Sequence, residues 1–215
     1  MPTAKLIAYT KSAIEECDNL TELVAYMARV SNPDNQANHQ TSKRLLDYLK
    51  KHSHWSPFEM VNIVIEVKTT RDIAHQMVRH RSFAFQEFSQ RYAAVPPTMI
   101  PREFRLQDEN NRQNSIELEN KDDLRIDAFE WSQVRLWTDA LRLYDKAIED
   151  GVAKEQARAL LPEGLTPTTL YMNGTLRSWI HYCDLRMANG TQKEHMQVAE
   201  QCWDIIADLL GEQQQ

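Results

Sequence analysis

A chain of 215 residues with 42% hydrophobic and 26% charged residues has the composition of a soluble globular protein. Its 31 acidic residues outnumber 25 basic residues, and the resulting net charge of −6 disfavours bulk nucleic-acid binding, which needs a broad basic footprint. No apolar run reaches membrane-spanning length and the first residues lack a signal-peptide pattern, so we expect a cytoplasmic protein without a membrane partner.

The cysteines and glycines exclude two further classes. Cys17, Cys183 and Cys202 are odd in number and widely spaced, so they predict neither a disulfide framework nor a zinc knuckle, and we expect buried, inert thiols. The chain has only five glycines and no Gly-x-Gly-x-x-Gly pattern, which excludes a Rossmann dinucleotide site.

Strands and helices alternate in the first part of the chain. Asn19 followed by Glu22 is typical of a helix start, with Asn19 as the cap. Residues 61–70 alternate apolar and polar side chains, which predicts a strand, and Thr70 is expected to cap the next helix. The elements predicted here are a strand at 5–9, a helix from Asn19 to about 28, a helix at about 41–51, a strand at 61–70 and a helix after Thr70.

The second part is mainly helical. Residues 107–123 are polar, without a hydrophobic period, and predict an exposed loop or lid. Thr191 and Glu194 have the spacing of a capping box before the final helix. The other elements predicted here are a long helix at about 123–150 stopped by Gly151, a short helix at 154–161, a strand at 166–172 and a helix at 175–187. We therefore predict an α+β fold, a single domain over 1–215 with a mixed or antiparallel sheet and several long helices.

Histidines leave one alternative open. His52 and His54 flank a serine in a loop, a pattern that suggests a metal site, but no third ligand lies nearby in the sequence. A metal-dependent phosphohydrolase using His52, His54, His75 and His80 is the corresponding hypothesis.

The stretch from Arg79 to Tyr92 is the most informative in the chain. It contains three arginines, a histidine, a glutamate and two serines but no glycine, so side chains rather than a backbone cradle must hold any anion. Gln76, Arg79 and His80 are expected on one helix face, where the helix dipole favours cations. The phenylalanines at 83, 85 and 88 either pack an irregular loop or stack on nucleic-acid bases. If they stack on bases, the protein is a single-strand nucleic-acid binder, which is a second alternative function.

The order Arg79-His80-Arg81, five residues, Glu87, one residue, Ser89, one residue, Arg91-Tyr92 resembles the signature of the flavin-dependent thymidylate synthases. The resemblance extends to His54-Trp55-Ser56-Pro57-Phe58-Glu59, to Ala157-Arg158 before an apolar triplet and proline, and to Leu185-Arg186. It implies methylation of dUMP to dTMP, with methylene-tetrahydrofolate as carbon donor, FAD as hydride carrier and NADPH as reductant. It also implies a homotetramer with shared active sites. Because no third ligand lies near His52 and His54 in the sequence, we predict no metal site.

The resemblance also implies residue roles. Arg186 would stabilise negative charge on the uracil ring. The implied FAD contacts are His54, Ser56, Arg79, His80, Arg81, Glu87, Thr175, Arg177 and His181. The implied dUMP contacts are Gln76, Arg79, Glu87, Phe88, Ser89, Gln90, Arg91, Arg158 and Arg186. Two positions depart from the family pattern: Thr175 stands where the family has an asparagine, with Asn173 close by, and Gly190 stands where the family often has a histidine.

Overall fold

The computed structural model describes residues 1–211, and within them the strands and helices follow the predicted order closely. The strands are β1 (Thr3–Tyr9), β2 (Asn62–Thr70), β3 (Ala84–Glu87), β4 (Arg105–Gln107), β5 (Ser115–Glu117) and β6 (Pro167–Thr175). The helices are α1 (Leu20–Ala28), α2 (Ser42–Lys51), α3 (Arg71–Met77), α4 (Leu124–Glu149), α5 (Lys154–Ala157), α6 (Leu176–Arg186) and α7 (Lys193–Leu209). None of these helices is long and apolar enough to cross a membrane.

A four-stranded antiparallel sheet in the order β1-β2-β6-β3 forms the centre of the molecule and confirms the α+β prediction. Alternate residues of β2, such as Ile63 and Ile65, are fully buried, as are Leu170 and Met172 of β6. These side chains pack in one apolar core with residues of α1, α3, α6 and α7. The other face carries exposed residues such as Tyr171, as is common for an antiparallel sheet.

The pairing of β2 with β6 decides where two helices meet. Asn62 pairs with Thr175 at one end and Thr70 pairs with Pro167 at the other, eight residues along. These ends are about 27 Å apart at the usual rise of a strand. Helix α3 leaves β2 at Thr70, whereas α6 leaves β6 at Thr175. The two helices therefore start from opposite ends of the sheet, and their C-terminal ends converge between them.

A second, smaller core lies under the long helix α4. Trp137 and Tyr144 of α4 are buried there together with Val95, Leu161 and Leu165. Other apolar side chains of the same helix stay exposed: Leu124, Trp131, Val134, Leu136 and Leu143. Several large apolar side chains exposed on one helix are candidates for contact with another molecule.

Two predictions from the sequence are wrong, one at the N-terminus of α7 and the other at the end of α3. The N-cap of α7 is Gln192, without a capping hydrogen bond, so the Thr191–Glu194 capping box does not form. The Glu194 carboxylate instead pairs with Arg102 and Arg105. Helix α3 ends at Met77, so Arg79 and His80 lie in the turn beyond it and not on a shared helical face with Gln76.

The polar segment at 107–123 also differs from the expected loop. Its first residue ends β4, and residues 115–117 form β5, so a two-stranded antiparallel sheet occupies part of the segment. Leu106 pairs with Ile116 across this sheet. Strands of three residues are too short to show an alternating pattern in the sequence, which explains the missed prediction. By contrast, the predicted cap of α1 is confirmed, since the Asn19 side chain accepts a hydrogen bond from the backbone N–H of Glu22.

Candidate active site

The convergence of α3 and α6 produces a central cluster of Gln76, His80, Arg186, Tyr182 and His195. Arg186, the last residue of α6, donates its Nε–H to His80 Nε2 over 2.8 Å. Burial and the neighbouring Arg186 charge lower the pKa of His80 to about 4. The imidazole is therefore neutral at pH 7, which is the form that can accept this bond.

The sequence reasoning missed two members of this cluster. His195 of α7 is fully buried, with Nε2 3.0 Å from the Tyr182 hydroxyl and Nδ1 3.3 Å from Gln76 Oε1. A histidine among the apolar positions of the final helix was the available signal, and it indicates a buried polar contact without revealing the partner.

Arg79 and Arg81 flank His80 in the turn after α3. Both are exposed, and neither has a hydrogen bond or ion pair among residues 1–211. Guanidinium groups bind phosphate through two parallel N–H bonds, so two unpaired arginines on one turn are suited to a diphosphate. The donor chemistry here fits FAD.

Glu87, at the end of β3, has protein partners of its own. Its Oε1 accepts hydrogen bonds from Arg71 Nη1 over 3.1 Å and from Thr168 Oγ1 over 2.8 Å. Arg71, the first residue of α3, was also missed by the sequence reasoning. The pair fixes the carboxylate beside the edge of the sheet, with one carboxylate oxygen left for another donor.

A cavity of about 470 Å³ lies next to this pair, within the usual size range of ligand pockets. It brings together the predicted residues Gln90 and Arg158 with Arg71 and His75. Gln90 is buried, and its Nε2 has no hydrogen-bond partner in the described structure. Glu155 and Glu163 also line the cavity, but each contacts a basic side chain, so Arg158 and the unsatisfied Gln90 N–H are the donors left for an anionic group.

The rest of the signature lies at or near the mouth of this cavity. Arg91 Nε is 3.3 Å from an oxygen of Glu155, which lines the cavity. The half-buried Ser89 accepts a hydrogen bond from the backbone N–H of Arg91. Phe88, also half-buried, donates its backbone N–H to Thr169, which holds this segment along β6.

A third group of predicted residues, the strand-end cluster, lies at the Thr175 end of β6. It comprises His54, Ser56, Thr175, Arg177 and His181. Arg177 pairs with Glu59, and the His181 ring is 4.5 Å from the Trp55 ring between centroids. His54 and Ser56 are exposed in the segment that precedes β2. The β2–β6 register therefore separates this cluster from the cavity near Thr166.

Thr175 is occupied in a structural role. It is the N-cap of α6, and its hydroxyl accepts a hydrogen bond from the Ser178 N–H over 3.2 Å. Asn173 lies two residues earlier on β6 and is exposed on the same face of the strand. The free amide of Asn173 is therefore better placed than Thr175 to contact a ligand.

The phenylalanines bear on the nucleic-acid alternative. Phe83 is buried, with its ring centroid 4.8 Å from that of Trp179. Phe85 and Phe88 are half-buried. Rings that pack in the core cannot stack on bases, so the interpretation of these residues as core packing is confirmed for Phe83.

The four histidines of the phosphohydrolase alternative do not converge. His52 and His54 lie near each other, with ring centroids 6.3 Å apart. His75 contacts Glu163, whereas His80 contacts Arg186. Across residues 1–211, no group of three or more histidine, cysteine, aspartate or glutamate side chains is placed to hold a metal ion.

The cysteines are buried, as predicted. Cys17, Cys183 and Cys202 are all free thiols, and burial raises the pKa of each. A raised pKa removes the thiolate that a nucleophilic cysteine needs. Their environment is that of inert core residues.

The sequence matches a protein-family model and is similar to named proteins over most of its length. Residues 5–210 match the family model described as thymidylate synthase complementing protein. The chain is 52% identical over 204 residues to a probable flavin-dependent thymidylate synthase of Paramecium bursaria Chlorella virus 1, covering 95% of this chain and 93% of the relative. It is 48% identical over 177 residues to a flavin-dependent thymidylate synthase of Synechocystis sp., covering 82% of this chain and 80% of the relative.

The fold is likewise similar to a solved structure. The UMP/dUMP methylase PolB from Streptomyces cacaoi, bound with 5-Br dUMP, superposes with a TM-score of 0.81 at 27% sequence identity. The match covers 97% of this chain and 91% of that chain.

Proposed function

Because this chain belongs to the flavin-dependent thymidylate synthase family, we propose that its three groups of residues divide the binding of FAD and dUMP among them. The enzyme forms dTMP from dUMP. The methyl carbon comes from methylene-tetrahydrofolate, the added hydride comes from NADPH, and the C5 proton of the uracil leaves. FAD, when bound, supplies the hydride transfer between NADPH and the one-carbon unit.

The cofactor assignment rests on two arginines beside His80 that have no ion-pair or hydrogen-bond partner among the described residues. Arg79 and Arg81 are exposed without partners among residues 1–211, whereas Arg71 and Arg102 are half-buried and ion-paired. Cations that are left free on one short turn are suited to the diphosphate of FAD. His54, Ser56, Arg177 and His181, with Asn173 in preference to Thr175, provide the remaining contacts at the strand end.

Arg186 acts on the uracil ring. Its Nε is engaged by His80, and its two terminal nitrogens have no hydrogen bond among the described residues. A neutral acceptor behind the guanidinium holds its plane without cancelling its charge. The terminal nitrogens are therefore free to stabilise negative charge that develops at the N3 and O2 edge of uracil.

The cavity near Thr166 binds the dUMP phosphate. Arg158 and Gln90 line it, and Ser89 and Arg91 lie at its mouth. Arg71 adds positive charge and holds Glu87, which leaves that carboxylate in reach of a ligand hydroxyl. Gln76 and Phe88 complete the nucleotide contacts in this proposal, together with Arg79.

The separation of these groups supports a homotetramer with shared active sites. Phosphate contacts lie near Thr166 and flavin contacts lie near Thr175, at ends of β6 that are about 27 Å apart. A mononucleotide is much shorter than this separation, so in this proposal dUMP and the flavin on which it stacks take contacts from two subunits. The exposed apolar side chains of α4, among them Trp131 and Leu136, supply contacts through which subunits can associate.

Flavin uptake and turnover test this assignment separately. Arg81→Ala should lose FAD binding, followed by flavin absorbance and fluorescence quenching, because one phosphate ligand is removed. Arg186→Lys should keep FAD and lose about a hundredfold or more in dTMP formation, since a point charge cannot replace the planar fork. Arg44→Ala, on an exposed arginine of α2, is the matched control for both. A wild-type chain that takes up no FAD, or an Arg186→Lys variant with normal turnover, would contradict the proposal.

A further inference from the structure

The final helix carries a buried histidine to which the mechanism above gives no role. His195 is fully buried and Tyr182 is 1% exposed, so each polar group needs a partner inside the protein. Both belong to the central cluster around Arg186 and His80, with the His195 and His80 ring centroids 6.3 Å apart.

A single chain of hydrogen bonds runs through this cluster. Its links are Gln192 Nε2 to Glu194 Oε2 at 3.0 Å, Gln76 Nε2 to Gln192 Oε1 at 2.8 Å, Gln76 Oε1 to His195 Nδ1 at 3.3 Å, and His195 Nε2 to Tyr182 Oη at 3.0 Å.

The carboxylate of Glu194 sets the direction of the whole chain. Burial opposes its ionisation, but hydrogen bonds and the charges of Arg102 and Arg105 outweigh burial and keep the pKa of Glu194 below its usual value. An ionised carboxylate can only accept, so the amide of Gln192 must turn its NH₂ group toward Glu194. Its oxygen then faces Gln76, whose own NH₂ group must donate to it.

The same logic fixes the histidine tautomer. The Gln76 carbonyl oxygen faces His195, so Nδ1 must carry the proton and donate. Burial, followed by the positive charge of Arg186 and by the charge that His80 would carry when protonated, lowers the pKa of His195 to about 3, which keeps the ring neutral. Nε2 therefore accepts from the Tyr182 hydroxyl, and every member of the chain is satisfied in one orientation only.

We propose that His195 is a positioning residue that, with Gln192 and Glu194, locks the amide of Gln76 in one orientation toward the nucleotide. An amide has two N–H bonds and two oxygen lone pairs, and the chain uses one of each. The remaining N–H and the remaining oxygen lone pair of Gln76 are therefore left for a ligand, and the positions of the donor and the acceptor cannot be exchanged. This inference rests on the proposed function, in which Gln76 contacts dUMP.

The energetic consequence of the lock follows from amide symmetry. A reversed glutamine occupies the same volume but exchanges its donor and acceptor. In the reversed state, a buried polar group of the substrate faces a like group and stays unpaired, which is costly. Without the donor at His195, the Gln76 oxygen loses one of the two contacts that disfavour reversal, and only the bond from Gln76 Nε2 to Gln192 Oε1 still opposes it.

Substitutions that replace one ring nitrogen at a time separate positioning from packing. In His195→Asn the amide N–H stands in for Nδ1 and keeps the bond to Gln76. In His195→Gln the longer amide reaches the Nε2 position and keeps only the bond to Tyr182. His195→Leu removes both bonds, and Tyr182→Phe removes the hydroxyl while leaving the Gln76 contact intact.

The measurement is dUMP affinity by calorimetry on the FAD-loaded full-length chain, with flavin absorbance as the check on the cofactor site. Affinity should fall about tenfold in His195→Leu and His195→Gln, the usual scale of one lost hydrogen bond. It should stay within about threefold of wild type in His195→Asn and Tyr182→Phe, although Tyr182→Phe should lower the melting temperature.

The outcomes distinguish this inference from the proposed function. Equal dUMP affinity in wild type and His195→Gln overturns the positioning role, as does an equal loss in His195→Asn and His195→Gln. If His195→Leu does not fold, the comparison of Asn with Gln still decides. A wild-type chain that binds FAD but not dUMP overturns the proposed nucleotide site itself.

Discussion

A neutral histidine behind a charged arginine is the arrangement on which the role proposed for Arg186 depends. His80 accepts from Arg186 only while its ring is unprotonated, and both His80 and His195 are held neutral by burial and by the Arg186 charge. Protonation of either ring would place a second positive charge against Arg186. The same residues that orient the guanidinium therefore couple folding to pH.

The sign of that coupling predicts loss of stability in mild acid. The pKa values of His80 and His195 in the folded protein, about 4 and about 3, lie below the ordinary histidine value of 6.5. Between these values and pH 6.5 the unfolded chain binds more protons than the folded protein. The contribution of the two rings to the free energy of unfolding is therefore fully present above about pH 6.5, and it is lost as the pH falls toward 4 and then 3. Urea midpoints measured between pH 7 and pH 4 should show this fall.

Variants assign the effect to these rings. His195→Asn keeps the bond to Gln76 but does not titrate, so its midpoint should fall less steeply with decreasing pH than that of wild type. His52→Asn changes an exposed histidine outside the cluster and should follow the wild-type curve. An identical pH slope in wild type and His195→Asn would show that His195 does not contribute.

At the level of elements, the contact between β6 and the signature stretch depends on one glycine. A Cβ atom added at Gly174 would lie 2.4 Å from Cδ1 of Phe83, far inside van der Waals contact. The Phe83 ring is also packed against Trp179 and Tyr182 of α6. The glycine therefore lets the turn after α3 lie close to the sheet, which brings His80 to Arg186.

Gly174→Ala should destabilise the protein by about 2 kcal/mol, the usual cost of overpacking a core. Thermal unfolding measures the change. Gly164→Ala is the matched control, because the nearest atom to its added Cβ is 3.9 Å away. Equal melting temperatures for the two variants would show that Phe83 moves aside freely.

The sequence predicts elements where the pattern is local and fails where a distant partner decides. Asn19 caps α1 as expected, because the bond to the Glu22 N–H needs only three residues. Thr191 and Glu194 have the same local spacing, but Arg105, 89 residues away, takes the Glu194 carboxylate. Arg71 and His195 were missed for the same reason, since their partners Glu87 and Gln76 are brought near only by the fold.

At the level of the whole molecule, the predicted ligand contacts are divided between two ends of one sheet. Arg158 lines the cavity near Thr166, whereas Arg177 and His181 lie at the Thr175 end of β6. The family resemblance predicts these residues as ligand contacts from the sequence, but only the β2–β6 register reveals their separation. This separation is the reason for the proposal that a complete active site takes residues from more than one subunit.

Mixing two defective variants tests that claim directly. One variant carries Arg158→Ala, and the other carries Arg177→Ala with His181→Ala; each alone should form little dTMP. After unfolding and refolding together, with hybrid oligomers confirmed by native mass spectrometry, the mixture should form dTMP well above either variant refolded alone. Some sites then combine an intact cavity from one subunit with an intact strand end from another. Confirmed hybrids that stay as inactive as their parents would contradict the account and place each active site within a single subunit.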